Sequence, residues 1–131
     1  MELSNGVAAS PDGRVAYVVS RDQSLRSFDV ETGAPIATGL AHVRGVKTVD
    51  VSECGRYVAT GSYDRTVMLW SADELSVRLP PVRLANSGVS GVRCRGGYVY
   101  SCSFDGIVSA IDASTGRIAW YRTAADASEG R

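Results

Sequence analysis

The chain holds a single histidine, His42, so it can supply neither a multi-histidine metal site nor a pair of imidazoles for a proton relay. His42 could activate a nucleophilic serine only if that serine stood at a strand-to-helix elbow. The nearest match, Gly88-Val89-Ser90-Gly91, lacks the fifth-position glycine of Gly-x-Ser-x-Gly. There is no Gly-x-Gly-x-x-Gly and no phosphate loop. The carboxylate pairs Asp29/Glu31 and Asp73/Glu74 fall in turn-like stretches and are expected to be solvated. Cys54, Cys94 and Cys102 form no Cys-x-x-Cys pair, and Cys94 and Cys102 are expected to be small buried packers. Three aspartates recur at even spacing, Asp22, Asp64 and Asp105. No cofactor, metal or catalytic residue is therefore expected, and the repeated aspartates need another explanation.

Composition narrows the classes further. Fourteen basic and fourteen acidic residues give a net charge of zero in 131 residues, and the basic residues are scattered. A nucleic-acid or polybasic membrane surface would show an excess that is absent here. The hydrophobic fraction of 44% is that of a folded domain, and apolar runs are too short to span a bilayer as a helix. Met1-Glu-Leu-Ser-Asn5 has no charged lead followed by an apolar stretch, so no export signal is expected and the cytoplasm is the expected location.

The elements that position the aspartates repeat with them. Ser20-Arg-Asp22 recurs as Ser62-Tyr-Asp64 and as Ser103-Phe-Asp105, and Gly13-Arg14 recurs as Gly55-Arg56. Before each aspartate lies a short apolar stretch (Val15–Val19, Tyr57–Ala59, Tyr98–Tyr100) and after it another (Leu25–Phe28, Val67–Trp70, Val108–Ile111). A first and a fourth segment complete each unit, the fourth at Pro35–Thr38, Leu75–Leu79 and Ile118–Arg122. β-Branched and aromatic residues fill these runs, turn residues separate them, and no stretch holds a helical period. Units of four short strands, a to d, at this period predict blades of an all-β propeller. The expected blades are residues 1–40, 41–84 and 85–123, with a polar tail at 124–131.

The second unit, Tyr57-Val-Ala-Thr-Gly-Ser-Tyr-Asp-Arg-Thr-Val-Met-Leu-Trp70, resembles a WD40 blade, and Ala41-His42 resembles the Gly-His dipeptide of that family. The resemblance implies a structural relay of hydrogen bonds through Trp70, Thr60 or Ser62, Asp64 and His42. Ser71 departs from the aspartate that usually follows the tryptophan. Phe28 and Ile111 stand where the other units would carry tryptophan, and Asn86 is read as standing in the histidine place of the third. The relay is therefore expected once only. The third unit also resembles the docking motif of quinoprotein propellers, through Ala110-Ile-Asp112 and Thr115-Gly116 to Trp120. That resemblance implies that Asp112, Thr115, Gly116 and Trp120 dock one blade onto its neighbour, without binding quinone.

Three blades are fewer than a ring requires. The chain is expected to be a fragment of a longer propeller, or to complete a ring by self-association or with blades of another chain. The expected function is a non-catalytic scaffold for protein partners. The alternatives are a quinoprotein-like propeller of an oxidoreductase or assembly platform, and a regulatory propeller of a longer protein. The residues just before the repeated aspartates are Arg21, Tyr63 and Phe104. With Lys47 they are the candidate partner contacts, because large aromatic and guanidinium groups anchor interfaces.

Overall fold

The computed structural model describes residues 4–83 and 86–123; the polar tail expected at 124–131 lies outside the described residues. Within them the chain is all strand and turn. The first sheet runs β1 (Ser4–Ala9), β2 (Val15–Ser20), β3 (Ser24–Asp29) and β4 (Pro35–Leu40). The second holds β5 (Val46–Val51), β6 (Tyr57–Ser62), β7 (Thr66–Ser71) and β8 (Val82–Arg83). The third holds β9 (Val89–Arg95), β10 (Tyr98–Ser103), β11 (Val108–Asp112) and β12 (Ile118–Arg122). Every sheet is antiparallel with its strands in sequence order. The three blades form an arc that does not close into a ring.

The middle blade is covered on both faces, and its sequence reads accordingly. Along Val67-Met68-Leu69-Trp70, alternate side chains enter two different cores. Met68 and Trp70 join Val46, Val49 and Val58 against Tyr17, Val19 and Leu25 of the first blade. Val67 and Leu69 join Tyr57 and Ala59 against Val89, Val92, Val99 and Ile111 of the third. All of β6 is buried, which is why it shows no polar alternation.

Two glycines set how closely the blades approach. A Cβ on Gly39 would lie 2.5 Å from the Trp70 ring, and one on Gly61 would lie 2.5 Å from the Val89 side chain. The inner strands are also bonded across blades. Val92 N–H donates to Thr48 Oγ1 at 3.3 Å, Cys94 N–H to an Asp50 carboxylate oxygen at 2.8 Å, and Gly96 N–H to Glu53 at 2.7 Å. Side chains of one blade thus satisfy amides along the open edge of the next.

Two expectations need correction, and a third is not met within the described residues. The fourth segment of the second unit was placed at Leu75–Leu79, but the paired strand is Val82–Arg83, preceded by a lone bridge between Trp70 and Val77. Pro80 and Pro81 have no N–H to give the ladder, so pairing breaks there and resumes two residues out of step. Leu75 instead occupies the left-handed turn position (φ 56°) held by Gly33 and Gly116 in the other blades. Its burial beside Trp70 offsets a conformational cost of roughly 1–2 kcal/mol. Cys102 is exposed, because it faces away from the second blade; Cys94 is buried, and burial pushes its thiol up to about 12.

Trp120 is the third. It pairs with Ala110 and shares a face with Tyr100, opposite to the face that carries Val99 and Ile111 into the core. It is 41% exposed and docks on no other blade among the described residues. Of the expected docking group, Gly116 does meet a neighbour, lying 3.4 Å (as a built Cβ) from Leu79 of the second blade. Asp112 and Thr115 shape the turn between β11 and β12, accepting from the Ser114 and Arg117 amides.

Gly39→Ala and Gly61→Ala should each lower stability by about 1–3 kcal/mol through overpacking at a blade seam. Chemical denaturation of the two variants checks this. Tyr98, Tyr100 and Trp120 on one end of the arc, and Val7, Ile36 and Leu40 on the other blade, are exposed. Light scattering should accordingly show concentration-dependent association of the isolated chain, and a Tyr100→Ser/Trp120→Ser double variant should shift it toward monomer.

Candidate functional site

Trp70 is buried in the seam between the first two blades and carries one N–H. That N–H donates to Thr60 Oγ1 at 2.8 Å. Thr60 Oγ1 lies 2.7 Å from His42 Nε2, and His42 Nδ1 lies 2.8 Å from an Asp64 carboxylate oxygen. One assignment satisfies every group: the indole donates to the threonine, the threonine hydroxyl donates to Nε2, and Nδ1–H donates to the carboxylate. Strand β7 supplies the tryptophan, β6 the threonine, the β6–β7 turn the aspartate, and the β4–β5 loop the histidine. Of the two hydroxyls considered from sequence, Thr60 takes part. Ser62 instead donates to the Gly45 carbonyl at 2.8 Å and accepts the Asp64 N–H, tying the same turn to the β4–β5 loop.

Asp64 accepts four bonds. Its second oxygen takes the Thr66 amide at 2.9 Å and the Thr66 hydroxyl at 2.6 Å, and the first also takes the Val43 amide at 3.1 Å. Burial by itself raises the carboxyl, but the hydrogen bonds from His42 and Thr66 outweigh it and hold Asp64 well below the usual carboxylate range. Both nitrogens of His42 are engaged, so the imidazole is a clamp between a turn and a buried indole.

The equivalent aspartates do simpler work. Asp22 is held by Ser24, Ser20 and the Ser24 amide and pairs with Arg26 at 3.1 Å; these contacts bring its carboxyl down to about 2. Asp105 accepts from the Ser103 hydroxyl and, at 3.0 Å, from the Asn86 amide. This last bond corrects a sequence reading. Asn86 gives Asp105 the backbone bond that Val43 gives Asp64, so it is equivalent to Val43 and not to His42.

The candidate contact residues lie on the rim formed by the b–c turns and d–a loops. Tyr63 and Phe104 stack with ring centroids 5.9 Å apart and planes at 8°, and they stay 41% and 56% exposed. Their backbones bond to the adjacent loops, Tyr63 N–H to Gly45 O at 3.1 Å and Phe104 N–H to Gly88 O at 3.0 Å. A Cβ on Gly88 would lie 3.2 Å from the Phe104 ring and from Tyr63 Cα, so glycine there lets the rings of two blades meet. Arg21 is exposed at the same position of the first blade. Lys47 is half-buried in the irregular step of β5 between Val46 and Thr48. The stack and the glycines that permit it were not read from the sequence; the recurrence of Gly45 and Gly88 before each inner strand was the available signal.

The model of the WD domain, G-beta repeat family matches residues 33–71, which span the last strand of the first blade, the His42 loop and the Asp64 turn up to Trp70. Residues 33–71 match a WD40 repeat. Striatin-4 of Homo sapiens is 30% identical to it over 69 residues, covering 53% of this chain and 9% of that protein. Nuclear distribution protein PAC1 of Arthroderma otae is 32% identical over 84 residues, covering 63% of this chain and 18% of that protein. The chain therefore spans only a small part of the WD40 relatives that it matches. The structure of U3-55K superposes with a TM-score of 0.87 at 19% identity, covering 94% of this chain and 40% of that one. The RRP9 WD40 repeats give 0.86 over 94% and 39%. The WD40 fold thus extends over all three blades, although the family model matches the middle one.

Replacing Asp64 with alanine should cost about 1–3 kcal/mol, because it leaves His42 and the turn amides without an acceptor. Asp64 binds its proton less readily when folded. Its contribution is therefore present above the ordinary carboxylate pKa and is lost as pH falls toward the lower folded value. Thermal melts of wild type should drop as pH goes below about 4, and those of Asp64→Asn should drop less.

Proposed function

We propose that the chain acts as a non-catalytic protein–protein interaction scaffold, with the rim of Tyr63 and Phe104 as its docking face. WD40 propellers are in general interaction scaffolds. The observation that carries the reading is the exposed stack of Tyr63 on Phe104. An offset aromatic pair on rigid turns presents a large apolar area at little conformational cost. Both turns are fixed from beneath by aspartates, and the Tyr63 turn is clamped to the loop before it through His42. The carboxylates and the imidazole nearest the rim are engaged in holding turns, which favours recognition over chemistry. Partners would be proteins, and further blades would cover the two ends of the arc. The free thiols of Cys54, Cys94 and Cys102 are in keeping with a reducing compartment such as the cytoplasm.

A Tyr63→Ala/Phe104→Ala variant, shown to fold by its circular dichroism, should recover at least about tenfold less of any partner that wild type retains. Equal recovery would exclude this rim and direct attention to the opposite one.

A further inference from the structure

The net charge of zero conceals a separation of charge between the two rims. In the first two blades, the rim of b–c turns and d–a loops carries Arg21, Arg44 and Arg65, with Lys47 just inside it. Among the described residues its acids there are Asp22 and Asp64. Asp22 is paired with Arg26, and Asp64 is buried under four hydrogen bonds. The opposite rim of the same blades carries Asp12, Asp29, Glu31, Glu53, Asp73 and Glu74 against Arg14 and Arg56. Among the described residues the ion pairs are Arg26–Asp22 and His42–Asp64, so Arg21, Arg44, Arg65 and Lys47 have no acidic partner among those residues. The three arginines are exposed.

These cations flank the aromatic stack. Gly45, next to Arg44, fits between the Arg21 backbone and the Tyr63 ring, where its Cβ would lie 3.2 Å and 3.5 Å from them. Val43, 75% exposed, adds an apolar side chain to the same loop. The face therefore joins an apolar platform to positive charge with no acidic partner among the described residues, and its acids, including Asp105 beside Phe104, are engaged in holding the turns. We propose that this rim recognises an acidic linear segment of a partner protein, with an apolar or aromatic residue of that segment seated on Tyr63 and Phe104. The proposal rests on the rim being the docking face and adds the chemistry of the occupant. Complementary charge would speed encounter and exclude basic segments, and the aromatic stack would hold the docked residue.

The test uses the full chain and three fluorescein-labelled probes: a short glutamate-rich peptide with a central Trp-Leu pair, the same peptide with lysine for glutamate, and oligothymidylate of equal length. Fluorescence anisotropy should show the glutamate peptide binding more weakly as salt rises, with no binding of the lysine peptide. Arg21→Glu/Arg44→Glu should weaken glutamate-peptide binding at least about tenfold, whereas Arg14→Glu/Arg56→Glu on the opposite rim, with the same change in net charge, should leave it unchanged. Failure of the glutamate peptide to bind, or equal loss in both charge-reversed variants, overturns the proposal. Oligothymidylate binding as tightly as the peptide would make the face a stacking surface for single strands and also overturn it. A shift of Arg21→Glu/Arg44→Glu from associated chain to monomer in light scattering would assign the face to a second copy, with the same consequence. The docking-face reading is judged separately: if Tyr63→Ala/Phe104→Ala abolishes partner recovery while Arg21→Glu/Arg44→Glu does not alter it, the rim docks a partner that is not acidic.

Discussion

Burying the indole of Trp70 obliges the protein to find an acceptor for one N–H at the seam of two blades. The apolar gain is large only if that donor is satisfied. Thr60 Oγ1 accepts it and needs an acceptor for its own hydroxyl, which His42 Nε2 provides; His42 in turn needs an acceptor for its Nδ1–H, which Asp64 provides. Each step transfers the obligation outward, from the core to a turn at the surface. The chain of bonds ends on a carboxylate that also fixes the Val43 and Thr66 amides. A packing requirement in the interior therefore fixes the shape of a surface loop.

The outer blades meet the same geometry without a buried indole. Phe28 and Ile111 occupy the tryptophan place and have no polar atom to satisfy, so no histidine is required of them. Their aspartates keep the local part of the task, holding the b–c turn through neighbouring serines. This explains why a family model finds the middle blade while the fold comparison spans the chain. The sequence signal belongs to the bond network, and the fold belongs to the repeated strands and turns.

The same division decides what could be read in advance. The Ser-x-Asp recurrence and its flanking apolar runs carry the all-β blades, because turn chemistry and strand alternation are local. The residues of the relay are legible through the resemblance of the second unit to a WD40 blade, which implies Trp70, Thr60 or Ser62, Asp64 and His42. Thr60 and Ser62 share a face of β6, and the choice between them depends on how far along the strand the Trp70 indole reaches: it meets Thr60, while Ser62 lies at the turn beside Gly45. The fourth strand of the middle blade was misplaced because the apolar residues around Leu75 read as strand, whereas Leu75 is a turn residue and Pro80-Pro81 postpones the pairing. Asn86 is one position away from the histidine place because the stretch from Trp70 to Arg83 is one residue longer than that from Phe28 to Leu40, which shifts everything after it. Trp120 was assigned to a blade contact from its motif, but the face it occupies is set by pairing with Ala110. The Tyr63–Phe104 stack joins two blades, and no single repeat contains it.

The bonds from the Val92, Cys94 and Gly96 amides to Thr48, Asp50 and Glu53 bear on the order of the blades. Repeats are often pictured as interchangeable copies that may be duplicated or reordered. At the places of Thr48, Asp50 and Glu53, the first blade has Gly6, Ala8 and Pro11, none of which offers a side-chain acceptor. A gene rearrangement that set the first blade before the third would leave three edge amides looking for water or for nothing. The order of the blades is thus written into their inner strands. The second blade carries acceptors fitted to the third, and the first blade does not.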